Sequence, residues 1–170
     1  MTQRSIPTAA RKDAQQPESA HARIWFIVVR HPNLLEPIRV ASDVLDYTLD
    51  GHLYKGIPIT VIPITDTDQQ ASSKIRMPNI DRQIGDALRT ISGRAMFEAT
   101  QYSTADFDLT KQPREAIGTP SPILSYEQFE LRNVDVDAIA VSGDLTLTDF
   151  AQEPVPHHRA TADRTPGVWR

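Results

Sequence analysis

The feature that most constrains the fold is an amphipathic stretch within residues 70–94, because it is the only part of the sequence with a strong helical pattern. We predict a helix over residues 80–92, with Asn79 as its N-cap and Asp81 in its first turn. Gly93 follows where a left-handed residue would end that helix. The apolar side chains recur at helical spacing, namely Ile80, Ile84, Ala87, Leu88 and Ile91.

The rest of the central chain has the short apolar runs and turn residues that are typical of strands. Residues 23–31 are continuously apolar from Ile24 to Val29, which predicts a strand covered on both faces. Asp50-Gly51 predicts a type I′ hairpin turn. Prolines cannot donate ladder hydrogen bonds, so we expect residues 57–64 at a sheet edge, or with Pro58 and Pro63 just at the strand ends. We therefore predict a mainly β domain, a β-sandwich or β-barrel, with one helix packed on the sheet.

The later segments complete this β pattern. Residues 102–122 are polar and rich in proline, and we expect them to form an exposed loop. Ser142-Gly143-Asp144 is predicted to form a turn or a bulge. Further strands are predicted over residues 38–42, 74–78, 95–101, 125–133, 134–141 and 145–150.

The two ends of the chain differ from the central domain, which we assign to residues 22–150. Residues 1–21 are polar and predict a flexible arm, either a frayed terminus or an arm that orders against a neighbouring subunit. Residues 151–170 predict a second, extended arm. Trp169 indicates that this arm docks, on its own domain or on a partner.

The composition excludes several classes of function. The chain has 170 residues, a net charge of −4 and no cysteine, which excludes disulfides, thiolate metal sites, iron–sulfur clusters and thiol nucleophiles. An acidic balance gives no basic footprint for nucleic acid. The longest apolar run, Ile24 to Val29, is too short for a membrane span, and residues 1–20 lack the apolar centre of a secretory signal, so we expect no membrane anchoring.

No catalytic motif stands out, and we predict no enzymatic activity, no cofactor and no metal. The histidines have no metal-ligand spacing, and Asp66 and Asp68 lack the later ligands of a calcium loop. One alternative is a hydrolase using Asp106 or Asp108, which requires a cleft and a raised carboxyl pKa. The histidines are His21, His31, His52, His157 and His158.

Several short motifs resemble, in order, those of a family of small tail proteins from long-tailed bacteriophages and prophages. The resemblance covers about residues 23–170. They are His31-Pro32 with Glu36–Val40, Asp50-Gly51 with Tyr54, Ile62-Pro63, Asn79–Arg82 with Ala87–Arg89, and the closing strands from Phe129 to Phe150. The family is similar to tail-tip hub and distal tail proteins.

The resemblance implies a virion structural protein with a tail-tube-like β domain, made in the host cytoplasm and placed at the phage tail tip. It implies copies in a three-fold or six-fold ring, contacts with tail-tube and tail-tip proteins, and genomic DNA only in transit. Some related hub proteins hold an iron–sulfur cluster through cysteines, which this chain lacks. The alternative is a monomeric β-barrel protein that binds a small ligand.

A ring subunit must contact its neighbours through edges, loops and arms. The proline-flanked segment, the polar helix face, the 102–122 loop and the C-terminal arm supply these elements. The candidate subunit-interface residues are Pro58, Pro63, Arg82, Arg89, Tyr102, Phe107 and Trp169.

Overall fold

A computed structural model describes residues 6–16, 18–61, 72–79, 82–90 and 93–147. The helices are α1 (Thr8–Gln15) and α2 (Arg82–Arg89), and Thr104–Asp106 form a 3-10 turn. The strands are β1 (Arg23–Arg30), β2 (Ile38–Ala41), β3 (Tyr47–Leu49), β4 (His52–Gly56), β5 (Thr60–Val61), β6 (Ser72–Pro78), β7 (Ala95–Ser103), β8 (Phe107–Asp108), β9 (Arg114–Ala116), β10 (Leu124–Val136) and β11 (Ala140–Leu147).

All described strands belong to one open sheet, in the order β5-β6-β11-β10-β7-β1-β2-β4-β3-β9-β8. Neighbours are antiparallel except for the pairs β2–β4 and β3–β9, which are parallel. The prediction of a mainly β fold with a small helical part is confirmed. The predicted edge position of residues 57–64 is also confirmed for β5, which ends the sheet. Residues 62–64 lie outside the described residues.

Strand β1 is covered on both faces, as its unbroken apolar run predicts. Ile27 and Val29 point into the larger of two cores, together with residues of β2, β6, β7, β10 and β11. Ile24 and Phe26 alternate with them and belong to a second core on the opposite face. The strand therefore contributes to both cores, and each core is stabilised by the apolar area that the strand removes from water.

The hairpin predicted from Asp50-Gly51 is confirmed between β3 and β4. Both turn residues have positive φ, 51° at Asp50 and 75° at Gly51, as a type I′ turn requires. The register pairs Leu49 with His52 and Tyr47 with Tyr54. This pairing puts both tyrosines on the inner face of the hairpin, where they are buried.

The sheet folds back on itself at its β8 end. Phe107 of β8 is five strands from β1 in the sheet order, yet its ring stacks on Phe26 with 5.2 Å between the centroids. Tyr47 and Tyr54 also contact the Phe26 ring edge-on. The second core is therefore an aromatic cluster between β1 and the curled β3–β4–β8–β9 end.

Helix α2 packs on the larger core through Leu88, which is 1% exposed, and Ala87. The predicted helix is confirmed over residues 82–89, whereas residues 80, 81, 91 and 92 lie outside the described residues. The predicted capping role of Asn79 is wrong with respect to the described residues, because its buried side-chain oxygen accepts no hydrogen bond from them. Its amide instead donates to the carbonyl of Asp137.

Three other predictions are wrong. Residues 8–15 of the predicted N-terminal arm form α1, because its alanines favour a helix and Ala10 is buried near Arg23 and Ser103. The predicted 102–122 loop contains the end of β7, the 3-10 turn, β8 and β9, because Phe107 anchors it in the aromatic cluster.

The third correction concerns Ser142-Gly143-Asp144, which lies inside β11 and pairs with β6. The irregularity lies on the partner strand, where the β10–β11 register shifts between Arg132 and Asp135, and Asn133 has a φ of 51°. A Cβ atom at Gly143 would lie 2.7 Å from the Cδ1 atom of Leu131, so a larger residue there would require the Leu131 side chain to shift.

Candidate functional site

The curled end of the sheet is held by a polar network of Asp43, Tyr47 and Arg114. The Tyr47 hydroxyl donates to the Asp43 carboxylate at 2.5 Å, and the Arg114 guanidinium donates to the same carboxylate at 2.8 Å. Arg114 also donates to the Tyr47 hydroxyl and lies over its ring. The network joins the β2–β3 connection to β9 and fixes the β3–β9 pairing, so its role is to position this end of the sheet.

Burial, reinforced by the Asp43 hydrogen bond, raises the pKa of Tyr47 to about 12. Burial also raises the pKa of Tyr54 and Tyr102. An unfolded chain releases tyrosine protons near pH 10, while the folded chain keeps them. The stability linked to these groups is therefore present below pH 10 and is lost as the pH rises through the folded pKa values.

We expect Tyr47→Phe to reduce this alkaline loss of stability, because the variant removes one phenol that ionises only in the unfolded chain over that range. The measurement is the midpoint of urea unfolding at several pH values from 9 to 11.5 for the wild type and the variant. Lysines titrate in both proteins, so their effect on the pH dependence of unfolding is the same and cancels in the comparison. Identical pH slopes for the two proteins would contradict the assignment.

The outer side of the β8–β9 end carries two neighbouring carboxylates. Asp108 of β8 pairs in register with Glu115 of β9, so their side chains share one face. Leu109 directly follows Asp108 and is 47% exposed, and Ile117 lies two residues after Glu115 and is 61% exposed. We call Asp108, Glu115, Leu109 and Ile117 the acidic surface.

The opposite end of the sheet has a groove of about 790 Å³ on the outer face of β6 and β11. Lys74 and Arg76 alternate with buried residues of β6 and are exposed. Neither cation forms an ion pair with a carboxylate of the described residues. Pro58 and Ile139 also line the groove, and Ile139 is 81% exposed. One carboxylate, Asp144, also lines the groove, opposite Lys74 in the β6–β11 register, where it accepts a hydrogen bond from Asn133. We call Lys74, Arg76, Pro58 and Ile139 the basic surface, since the two cations outnumber this carboxylate.

The pKa of Asp108 is shifted in the direction opposite to the one that the hydrolase alternative requires. Hydrogen bonds from the Thr110 hydroxyl and backbone N–H hold the pKa of the Asp108 carboxyl below its usual value, whereas the alternative requires a raised pKa. Asp108 therefore anchors the turn after β8 as an ionised side chain.

Two further findings concern metals and membranes. Within the described ranges, no three histidine, aspartate or glutamate side chains converge as metal ligands. The helices in the same ranges are too short or too polar to cross a lipid bilayer.

The predicted interface residues are placed very differently. Pro58 and Arg89 are exposed, and Arg89 contacts Asp86 and the carbonyl of Val136 of its own chain. Phe107 is only 3% exposed, because its ring fills the aromatic cluster of its own chain. Tyr102 packs against the same cluster and is likewise held in its own chain.

The other three predicted interface residues are Arg82, Pro63 and Trp169. Arg82 begins α2, and Pro63 and Trp169 lie outside the described residues. The sequence pattern placed Lys74 and Arg76 on one face of a half-buried strand but did not identify them as a candidate site, and it did not bring Asp108 and Glu115 together. The alternation of charge in the β6 sequence was the available signal for the first pair, whereas the second depends on the β8–β9 register.

Comparison with known proteins gives one family. Residues 14–160 match the family model described as "Domain of unknown function (DUF1833)". No curated protein matches the chain.

Proposed function

The chain belongs to the DUF1833 domain family, whose function is unknown, and we propose that it is a structural subunit of a bacteriophage tail tip. In this role copies of the chain form a hub-type or distal tail ring, with neighbouring tail-tube and tail-tip proteins as partners. The phage assignment is supported by the motifs around His31-Pro32 and in α2 that resemble those of the phage tail family. It does not derive from the DUF1833 match.

The observation that carries the ring assignment is the open sheet with two chemically different ends. Different surfaces at the two ends permit head-to-tail contacts between copies, and such heterologous contacts generate rings when the rotation closes. Short terminal strands, β5 and β8, agree with sheet edges that are protected from indiscriminate pairing. The role of such a subunit is to assemble with its neighbours.

We expect antibodies raised against this chain to label one end of the tail on virions of a phage that encodes it. The label should be absent from capsids and from the tail shaft, because a tip ring occupies one position per virion. Immunogold electron microscopy of intact virions is the measurement, with pre-immune serum as the control. Virions free of the chain, by labelling and by mass spectrometry, would overturn the proposal.

A second candidate function is favoured by the groove at β6 and β11. Its volume of about 790 Å³ falls in the range of small-ligand pockets. In that case the chain is a monomeric binding protein. A monomer mass by light scattering at all concentrations, together with a rise in melting temperature with one member of a metabolite panel, would favour this candidate.

A further inference from the structure

The acidic surface and the basic surface match each other in chemistry. The first has two carboxylates and one cation, Lys111, with the exposed Leu109 and Ile117 near them in the chain. The second has two cations and one carboxylate, Asp144, with the exposed Ile139 and Pro58 in the same groove. The two surfaces therefore carry opposite net charges. Each therefore combines a charged pair with an apolar contact area. This combination is typical of interfaces in which charge sets the register and apolar area supplies affinity.

The spacing of the charges also matches. Lys74 and Arg76 are two residues apart on one face of a strand, which separates their Cα atoms by about 7 Å. Asp108 and Glu115 are cross-strand neighbours with about 5 Å between their Cβ atoms. Long lysine and arginine side chains can therefore converge on such a carboxylate pair.

We propose that the basic surface of one copy binds the acidic surface of the next copy, which rests on the proposed ring function. The contact is head to tail, because two basic or two acidic surfaces would repel each other. Since the surfaces lie toward opposite ends of the sheet order, every copy offers one of each. This arrangement lets a single contact type repeat around a ring.

The partially satisfied charges of the acidic surface agree with this role. Glu115 pairs with Lys111 at 2.5 Å, but both side chains remain about half exposed, so the carboxylate is open to a second cation. Asp108 uses its Oδ1 atom for both hydrogen bonds to Thr110. No group of the described residues forms a hydrogen bond or an ion pair with its Oδ2 atom. The Oδ2 atom can therefore accept a hydrogen bond from Lys74 or Arg76 of the next copy.

The test is sedimentation velocity of the full chain over a range of concentrations at low salt, with charge reversals on each surface. Lys74→Glu with Arg76→Glu, and Asp108→Lys with Glu115→Lys, should each weaken self-association by about tenfold or more. The chain with all four substitutions should regain wild-type association, because the charges are exchanged. Glu115→Lys alone keeps the Asp108 turn and should show a smaller loss.

A matched control is Arg11→Glu with Lys12→Glu on the exposed side of α1, which changes the net charge by the same amount as the basic-surface reversal. It should leave association unchanged, and circular dichroism checks that every variant is folded. The proposal is overturned if the control weakens association equally, if the four-fold exchange fails to restore it, or if the wild type stays monomeric. A charge-dependent contact without labelled virions would instead overturn only the proposed tail function.

Discussion

Phe26→Ala should destabilise the protein by about 4 kcal/mol, the range for deleting a large buried aromatic side chain. Phe26 is 2% exposed, and its ring contacts four other aromatic rings at centroid distances of 5.0 to 5.5 Å. Its loss leaves a cavity between β1 and the curled end of the sheet. Domains of this size have a free energy of unfolding of only about 5–15 kcal/mol, so this substitution would remove a large part of it.

The measurement is the free energy of unfolding from urea titration, followed by far-ultraviolet circular dichroism. The matched control is Met96→Ala on β7, where the side chain is 54% exposed and a change below about 1 kcal/mol is expected. Phe26→Leu fills part of the cavity and should fall between the two. A Phe26→Ala variant within 1 kcal/mol of the wild type would show that the aromatic cluster does not hold the curled end.

The parts of the fold that could be predicted from sequence are those specified by neighbouring residues. The apolar run of β1 predicts burial on both faces, and Asp50-Gly51 predicts a turn that needs two positive φ angles. The edge position of residues 57–64 follows from prolines that cannot join a ladder on both sides. In each case the signal lies within about ten residues of the chain.

The parts that could not be predicted depend on contacts between distant segments. β8 and β9 have two and three residues, too few to show a period, and they are strands only because Phe107 reaches Phe26 and Arg114 reaches Asp43. Gly143 looks like a turn residue in the sequence, but its role is to leave room for Leu131 on the neighbouring strand.

The two candidate surfaces could not be predicted from the sequence, because they also depend on contacts between distant segments. Asp108 and Glu115 are brought side by side by the β8–β9 register, and the basic surface collects residues from 58 to 139. Sheet order and chain order differ: β11 lies between β6 and β10, and β9 pairs with β3. Composition gave the net charge, whereas the separation of that charge between two ends of a sheet is a property of topology alone.

Gly56→Ala should cost about 3 kcal/mol, at the upper end for forcing an extra carbon into a filled site. A Cβ atom at Gly56 would lie 2.4 Å from the carbonyl oxygen and 2.5 Å from the carbonyl carbon of Leu45, both backbone atoms that cannot rotate away. Gly56 also pairs with Ala41 and donates its N–H to Asp46 at 2.8 Å. The substitution therefore strains the β2–β4 junction.

The matched control is Gly118→Ala, which has nothing within 4 Å but a φ of +73°. It isolates the conformational cost of replacing a left-handed glycine, about 1 kcal/mol. Urea unfolding gives both values, and equal losses at the two positions would show that the Leu45 contact is relieved without strain.

The position of Gly56 gives its substitution a second consequence. The short parallel β2–β4 pairing links the long antiparallel half of the sheet, which carries the basic surface, to the curled half, which carries the acidic surface. Strain at this junction changes how the two surfaces are oriented, and a ring closes only when that orientation is fixed. Gly56→Ala should therefore weaken self-association even at temperatures where the protein remains folded, whereas Gly118→Ala should not. A folded Gly56→Ala protein with wild-type sedimentation would show that ring geometry does not depend on this junction.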